Sequence, residues 1–296
     1  MRLVTYRAEA GTRVGILAAD GVHDAGFDGD MVALIERWPD PAAASAALTE
    51  LTPMRGGTAT MTAPIAGAEL LAPLRPRSLR DFLTFEGHLH NVMRGLGRPI
   101  APEWYEVPAY YKGMPDTVIG PEAVIPWPAY SERLDHELEL AAVIGRPGRD
   151  IPRGSAFEHI FGWTIWNDLS ARDVQARELP LSMGPAKAKD WDGSNVLGPC
   201  LVTADELDGR DLAMTVRVNG ETWGSARSSE MHHGFEVLIA YASMAEVLHP
   251  GEVLGSGTAP GGSGIEQDRW IQPGDVIEME IEGIGVLRNR VGAKGA

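Results

Sequence analysis

Residues 134–145, Leu134-Asp135-His136-Glu137-Leu138-Glu139-Leu140-Ala141-Ala142-Val143-Ile144-Gly145, set a pair of glutamates into a run that turns apolar and β-branched and stops at a glycine. This pattern predicts a strand. Successive side chains of a strand face opposite ways, so Glu137 and Glu139 share one face with Cα atoms roughly 6–7 Å apart. Leu138 and Leu140 point the other way, and Ala141 to Ile144 carry the strand into a core. Two ionised carboxylates on one face repel each other and are costly to bury. A hard divalent cation, Mg²⁺, Mn²⁺ or Ca²⁺, removes both costs because it takes oxygen ligands of this kind. The same pattern also suits the solvated face of an edge strand, and the pair alone does not choose between the two.

At 296 residues the chain is long enough for one large domain, or for a large domain plus a small one. Its 44% hydrophobic and 23% charged residues suit a globular protein with a sizeable core. The formal net charge of −15 argues against nonspecific nucleic-acid binding and against anionic membrane surfaces, since both need a positive face. The one cysteine, Cys200, excludes an intramolecular disulfide and fits a reducing compartment. Lying between Pro199 and Leu201-Val202, it reads as a small buried hydrophobe rather than a nucleophile. The stretch Met1 to Arg7 has no apolar leader region, and no apolar run approaches membrane-spanning length. The expectation is a cytoplasmic protein.

Leu3 to Ala8, Arg13 to Ala18 and Gly21 to Asp24 read as short strands, with turns at Ala10-Gly11 and Asp20-Gly21. Asp30 is placed to cap a helix from Met31 to Trp38, and alanine-rich Pro41 to Leu51 forms a second. Ile65 to Leu71 returns to strand character before Pro73 and Pro76 break the pattern. A small N-terminal β-rich domain, residues 1–70, is expected ahead of a larger domain, residues 71–296. Within the latter, Val118 to Ile125, Phe161 to Asp168 and Asn195 to Thr203 read as strands. Leu212 to Asn219 and Glu221 to Arg227 form a hairpin around Asn219-Gly220. Phe235 to Leu248 has helical spacing, and Val276 to Ile281 and Gly285 to Val291 are terminal strands. Strands dominate over helices, which gives a β-rich α+β fold class.

Several other stretches carry candidate chemistry. Asp81, Phe85 and His88 stand at i, i+4 and i+7, one face of a helix over Leu79 to Asn91. An acid and an imidazole so placed suit a ligand and a general base, or more plainly a capping aspartate and a surface histidine. The run from Phe161 delivers Asp168 at its end, ahead of Arg172 and Gln175. That suits a third metal ligand with anion-binding neighbours, or simply a cap. Lys187 and Lys189 share one loop, and the aromatic stretch holding Tyr110 and Tyr111 can line a pocket. Gly255 to Gly264 lacks the Lys-Ser/Thr of a phosphate-binding loop and does not fit a dinucleotide fingerprint. It reads as a tight loop that brings amide groups and Thr258 to a small ligand. His90 is left solvated, and His232-His233 fall in a helix-cap region.

Together these motifs resemble the fumarylacetoacetate hydrolase family over roughly residues 75–290. Five separated motifs occur in that family's order: Arg80-Asp81-Phe82 with His88 seven residues after the aspartate; Asp135-x-Glu137-x-Glu139; Asn167-Asp168-x-Ser170-Ala171-Arg172-Asp173; the lysine loop leading to Leu197-Gly198-Pro199; and Pro250-Gly251-x-Val253-x-Gly255-Ser256-Gly257-Thr258. The resemblance implies a mixed β-sandwich roll catalytic domain, a small N-terminal domain, a homodimer, and a divalent metal, Mg²⁺ or else Mn²⁺ or Ca²⁺. It implies that Asp81, Glu137, Glu139 and Asp168 ligate the metal. It further implies that His88 activates water, that Glu266 orients His88, and that Lys189 stabilises developing negative charge. Tyr111, Arg172, Gln175 and Thr258 match substrate-contacting positions. The activity implied is hydrolysis of a C–C bond in an acylpyruvate or 1,3-diketo acid, with decarboxylation, isomerisation or hydration of a 2-oxo acid as the alternative. Two positions depart from the pattern. Leu83 stands where a substrate-contacting tyrosine is found in fumarylacetoacetases, and Arg94 lies closer to His88 than the family's carboxylate-binding arginine.

Overall fold

The strand predicted around Leu138 forms the middle of the fold. In the computed structural model, which describes residues 1–9, 11–51 and 63–295, Leu138–Ile144 is buried on both faces. That is why its sequence is a continuous apolar run rather than an alternation. It pairs antiparallel with Ile160–Asp168 on one side, Leu140 opposite Ile165, and with Val253–Gly255 on the other, Ala141 opposite Gly255. Ala10, expected at a turn, lies outside the described residues.

Among the described residues the main sheet has eleven strands. Outward from the centre on one side come Val253–Gly255, Leu79–Phe82 and Tyr110–Gly113. On the other come Ile160–Asp168, Asn195–Thr203, Arg2–Ala8, Gly11–Ala18 and Gly21–Asp24. Leu3 is opposite Leu201, so the two expected units share one hydrogen-bonded sheet. A second sheet runs Glu221–Arg227, Ala213–Val218, Val276–Ile281, Gly285–Lys294 and Val124–Trp127. Its inward residues Met214, Val216, Ile277, Met279 and Leu287 join Ile165, Cys200 and Val202 of the main sheet in one apolar core, a sandwich packing. The opposite face of the main sheet is covered by the helices Met31–Arg37 and Pro41–Leu51. Leu34, Ile35 and Leu48 there pack with Val143, Phe161 and Leu201. The β-rich α+β class read from the sequence is the one observed.

Ile65 to Leu71, expected as a strand, is one only at Leu70–Leu71, and three elements nearer the site also differ from expectation. Asp81 and His88 do not share a helix: Leu79–Phe82 is a strand and the helix spans Glu86–Leu96. All four residues of that strand are buried, and partners on both sides saturate its backbone, which outweighs the 3.6-residue spacing. The predicted strand Val118 to Ile125 splits into Val118–Ile119 and Val124–Trp127 around Gly120-Pro121, the halves belonging to different sheets. The helix predicted from Phe235 stops at Ala242. Ser243 Oγ turns to accept the Ile151 amide (2.9 Å), and Val247–Leu248 pairs as a strand with Gly148–Arg149.

Candidate active site

The sheet register assembles the acids. Asp81 lies opposite Gly255 on one side and Tyr111 on the other, and Gly255 is in turn opposite Ala141. A Cβ on Gly255 would come within 2.6 Å of Glu139 Oε2 and 2.7 Å of the Trp166 ring, so only glycine leaves room for the Glu139 carboxylate. Glu137 sits just before the central strand, bridged to Ser263, and its carbonyl accepts the Asp168 amide at 3.2 Å. The result is that one oxygen from each of Asp81, Glu137, Glu139 and Asp168 lies within 4.8 Å of the others, all four side chains buried. The sequence reading of Glu137 and Glu139 as a same-face pair and of Asp168 as a third acid is reproduced in space. The edge-strand reading is not, because Glu137 and Glu139 are buried near the middle of the sheet.

Two cations share part of this charge. Arg172 Nη2 donates to Glu137 Oε1 at 2.6 Å and its Nε to Asp135 Oδ2 at 2.8 Å. Lys189 Nζ lies 2.6 Å from Glu137 Oε2 and also contacts Asp168 Oδ2. The Tyr111 hydroxyl donates to Asp168 Oδ1 at 2.7 Å. Burial would raise the Glu137 pKa, but the charges of Lys189 and Arg172 outweigh it and hold that carboxyl well below the usual range. Asp81 and Glu139 have no such cation. Burial first, and then the charge of Asp168 on Asp81 and of Asp81 on Glu139, push both carboxyls well above their ordinary values. Asp81 Oδ1 and Glu139 Oε1 have no hydrogen-bond partner. Two buried acids without counter-charge, two orphaned oxygens and an all-oxygen donor set fit a hard divalent cation.

His88 stands in the first turn of the Glu86–Leu96 helix. A Cβ on Gly87 would lie 2.9 Å from Pro260 Cγ, so glycine lets this helix seat against the glycine-rich loop. His88 Nδ1 is thereby 2.8 Å from Glu266 Oε1, across 178 residues of sequence. Glu266 Oε2 accepts from Asn91 Nδ2 (2.8 Å) and from the Gly261 amide (2.8 Å). Burial would raise the Glu266 pKa, but the bond to His88, its charge and the other donors reverse that and lower it. Because an ionised carboxylate only accepts, Nδ1 carries the hydrogen and Nε2 is left as the basic nitrogen.

A cavity of about 500 Å³ joins these parts. Asp81, Glu137, His88, Lys189, Tyr111, Arg172, Gln175 and Thr258 all line it. Glu139 and Asp168 stand beneath it within the acid cluster, and Glu266 stands behind His88. Of the two loop lysines, Lys187 is exposed and Lys189 buried. Lys189 is fixed by a clamp: the Glu178 carboxylate accepts the amides of Ala186 (2.7 Å), Lys187 (2.9 Å) and Ala188 (3.2 Å). Arg94 is exposed, donates to Asn91 Oδ1 at 3.3 Å and does not line the cavity. His90 is exposed as expected.

Sequence reasoning missed two residues. Asn91 lies three positions after His88, one helical turn on, and its amide reach to Glu266 has no local sequence signal. Asp135 is fully buried, and besides Arg172 it accepts the amides of Gly264 (2.8 Å) and Ile265 (3.1 Å). It thus ties the turn bearing Glu266 to the segment bearing Glu137. Its place two residues before Glu137 was the available signal.

Comparison with known proteins identifies the family. The family model for the fumarylacetoacetate (FAA) hydrolase C-terminal region matches residues 78–292. The fold of a fumarylacetoacetate hydrolase from psychrophilic Exiguobacterium antarcticum superposes with a TM-score of 0.78 at 27% identity, covering 99% of both chains. That of a 5-carboxymethyl-2-hydroxymuconate delta-isomerase from Mycobacterium smegmatis gives 0.74 at 29% identity, again over 99% of both. The human mitochondrial oxaloacetate tautomerase FAHD2A is 36% identical over 186 residues, 62% of this chain and 59% of that protein. Among the described residues no helix is long and apolar enough to cross a membrane. The family model spans the central strand with its neighbours, the acid cluster and the His88–Glu266 pair, and this chain belongs to the fumarylacetoacetate hydrolase family, a family of enzymes acting on small molecules.

Proposed function

We propose that this protein is a divalent-metal-dependent hydrolase that cleaves a C–C bond of an acylpyruvate or related 1,3-diketo acid. The observation that carries the reading is that one cavity is lined by His88, backed by Glu266, and by Asp81 and Glu137 of the four-acid cluster. Asp81, Glu137, Glu139 and Asp168 would hold the cation, with Mg²⁺ the first choice and Mn²⁺ or Ca²⁺ the others. When bound, such an ion polarises a carbonyl as a Lewis acid. The remaining chemistry belongs to this chain. His88 Nε2 takes a proton from water, with Glu266 holding the ring in place. The resulting hydroxide attacks the distal carbonyl carbon. The bond from that carbon to the central carbon breaks, the acyl group leaves as a carboxylic acid, and the electron pair goes to the pyruvate enolate. Lys189 favours the enolate electrostatically, and the proton held on His88 returns to the central carbon. Arg172, Gln175, Tyr111 and Thr258 orient the substrate. A non-catalytic homologue would have no reason to retain four mutually repelling buried acids.

A second reading is supported by the similarity to an isomerase and a tautomerase. A base that removes and returns a proton next to a carbonyl serves enolisation as well as hydrolysis, and the same site would suit isomerase, hydratase or decarboxylase chemistry on a 2-oxo acid. Incubation with Mg²⁺ and acylpyruvates separates the readings. Hydrolysis predicts loss of diketone absorbance and two acids by NMR. Enolisation predicts an intact carbon skeleton with solvent deuterium entering faster than in the enzyme-free control, and that outcome would replace the hydrolase reading. A homodimer in the cytoplasm belongs to the same proposal, and light scattering checks the assembly.

A further inference from the structure

The cavity has two chemically different ends. The inner end holds the charged groups described above. The outer wall includes Leu83, Leu89, Val92, Met93, Leu179 and Ile265. One helix contributes to both ends. Val92 lies one turn beyond His88 on the same face, with Leu89 and Met93 flanking, so the apolar wall rises roughly 6 Å along the helix axis from the base.

Of the described residues lining the cavity, Arg172 and Lys189 are the cations, and both are bonded to carboxylates at the inner end. Arg94, the arginine on the wall helix, is turned to Asn91 and does not enter the lining. Leu179, which lines the cavity, is 53% exposed, and Leu181 and Met183, which follow it in the chain, are 71% and 88% exposed. Isolated exposed apolar residues are ordinary, but an exposed leucine continuous with the apolar wall of a cavity extends a binding surface.

We propose that the outer wall is an apolar acyl subsite. The substrate places its 2-oxo acid head at the inner end and an uncharged alkyl or aryl group against Leu89, Val92 and Met93, with Leu179 at the rim. A substrate ending in a second carboxylate is discriminated against, because that group would be desolvated with no free cation to receive it. This rests on reading the inner end as a 2-oxo acid site.

Binding of inert head-group analogues tests the subsite apart from turnover. Calorimetry on the Mg²⁺-loaded protein would compare oxamate, N-butyloxamate, N-hexyloxamate and N-(3-carboxypropyl)oxamate. Each buried methylene is expected to tighten binding about fourfold. The carboxypropyl compound should bind at least about tenfold more weakly than the butyl one, and Val92→Lys should reverse that order. Affinity independent of alkyl length, or tighter binding of the carboxypropyl compound to the unmodified protein, would overturn the subsite while leaving the head-group site intact. Failure of oxamate itself to bind in the presence of Mg²⁺ would overturn the 2-oxo acid site, and the subsite with it. The comparison on unmodified protein decides the matter even where the Val92 variant fails to fold.

Discussion

Glu266 grips His88 with one oxygen at 2.8 Å while Asn91 and the Gly261 amide hold the other. A carboxylate with this many donors stays ionised and fixes the imidazole tautomer. On this basis His88→Ala is expected to lower kcat/KM by about 10²–10⁴. Glu266→Gln should retain the fold and lower kcat by about 10–100, the range seen when a group orienting a histidine is removed. Steady-state kinetics on an acylpyruvate check both, and a fully active His88→Ala enzyme would remove the histidine from the mechanism.

Added Mg²⁺ or Mn²⁺ should raise the melting temperature, because Asp81 and Glu139 are buried with no cation bonded to them. At a hundredfold excess over Kd the gain is about 2.7 kcal/mol. EDTA should reverse it, and Glu139→Gln should shrink it. Calorimetric scans with no shift for Mg²⁺, Mn²⁺ or Ca²⁺ would contradict the metal site.

Lys189→Met leaves Glu137 and Asp168 short of their shared cation. Removing one partner of a buried ion pair costs about 3–5 kcal/mol, so metal-free stability should drop by this order. Saturating Mg²⁺ should restore part of it, while kcat stays lowered by about 10²–10³ through loss of charge stabilisation. Urea unfolding with and without Mg²⁺, alongside kinetics, separates the two effects.

Asp135→Asn removes the anion that binds Arg172 and two loop amides. Charge-assisted bonds of this kind contribute about 1.5–3 kcal/mol each, and the variant should show faster amide exchange at Gly264 and Ile265 than the parent. Unchanged exchange there would mean that Asp135 does not hold the Glu266 turn.

Far from the site, Asp24 accepts from Arg13 Nε at 2.5 Å and from the Tyr6 hydroxyl at 2.5 Å. The bond from Arg13 outweighs burial and lowers the Asp24 pKa to about 2, while burial first and Asp24 second raise Tyr6 to about 12. A depressed carboxyl pKa adds stability that is fully present above the unfolded value near 3.8 and is lost as pH falls through about 2. Arg13 is 40% exposed, so the contribution is on the order of 1 kcal/mol after solvent screening. The stability difference between the parent and Asp24→Asn should be constant above about pH 5 and close towards pH 2. Urea midpoints across that range measure it.

Much of the site was legible because its chemistry is carried by short motifs on regular elements. Glu137 and Glu139 are two apart, and Asp168 ends a strongly apolar strand, so each was visible from local pattern. Asp81 was found, but on the wrong kind of element. A four-residue strand held from both sides has too few residues to show a period of two, whereas Asp81, Phe85 and His88 imitate a helical face by coincidence of spacing. Asn91 and Asp135 escaped because their roles are set by partners that only the fold brings near. The extension of the main sheet through Leu3 and Leu201 is a long-range pairing of the same kind.

Glu178 gathers three successive amides at the root of the excursion that runs through Leu179, Leu181 and Met183. That latch uncouples the tip from Lys189 just beyond it. Between the latch and the helix end, residues 179–185 are the stretch where lengthening or rewriting should disturb the lysine least. The make-up of the cavity rim at Leu179 and the anchoring of the lysine loop are therefore held by separate contacts.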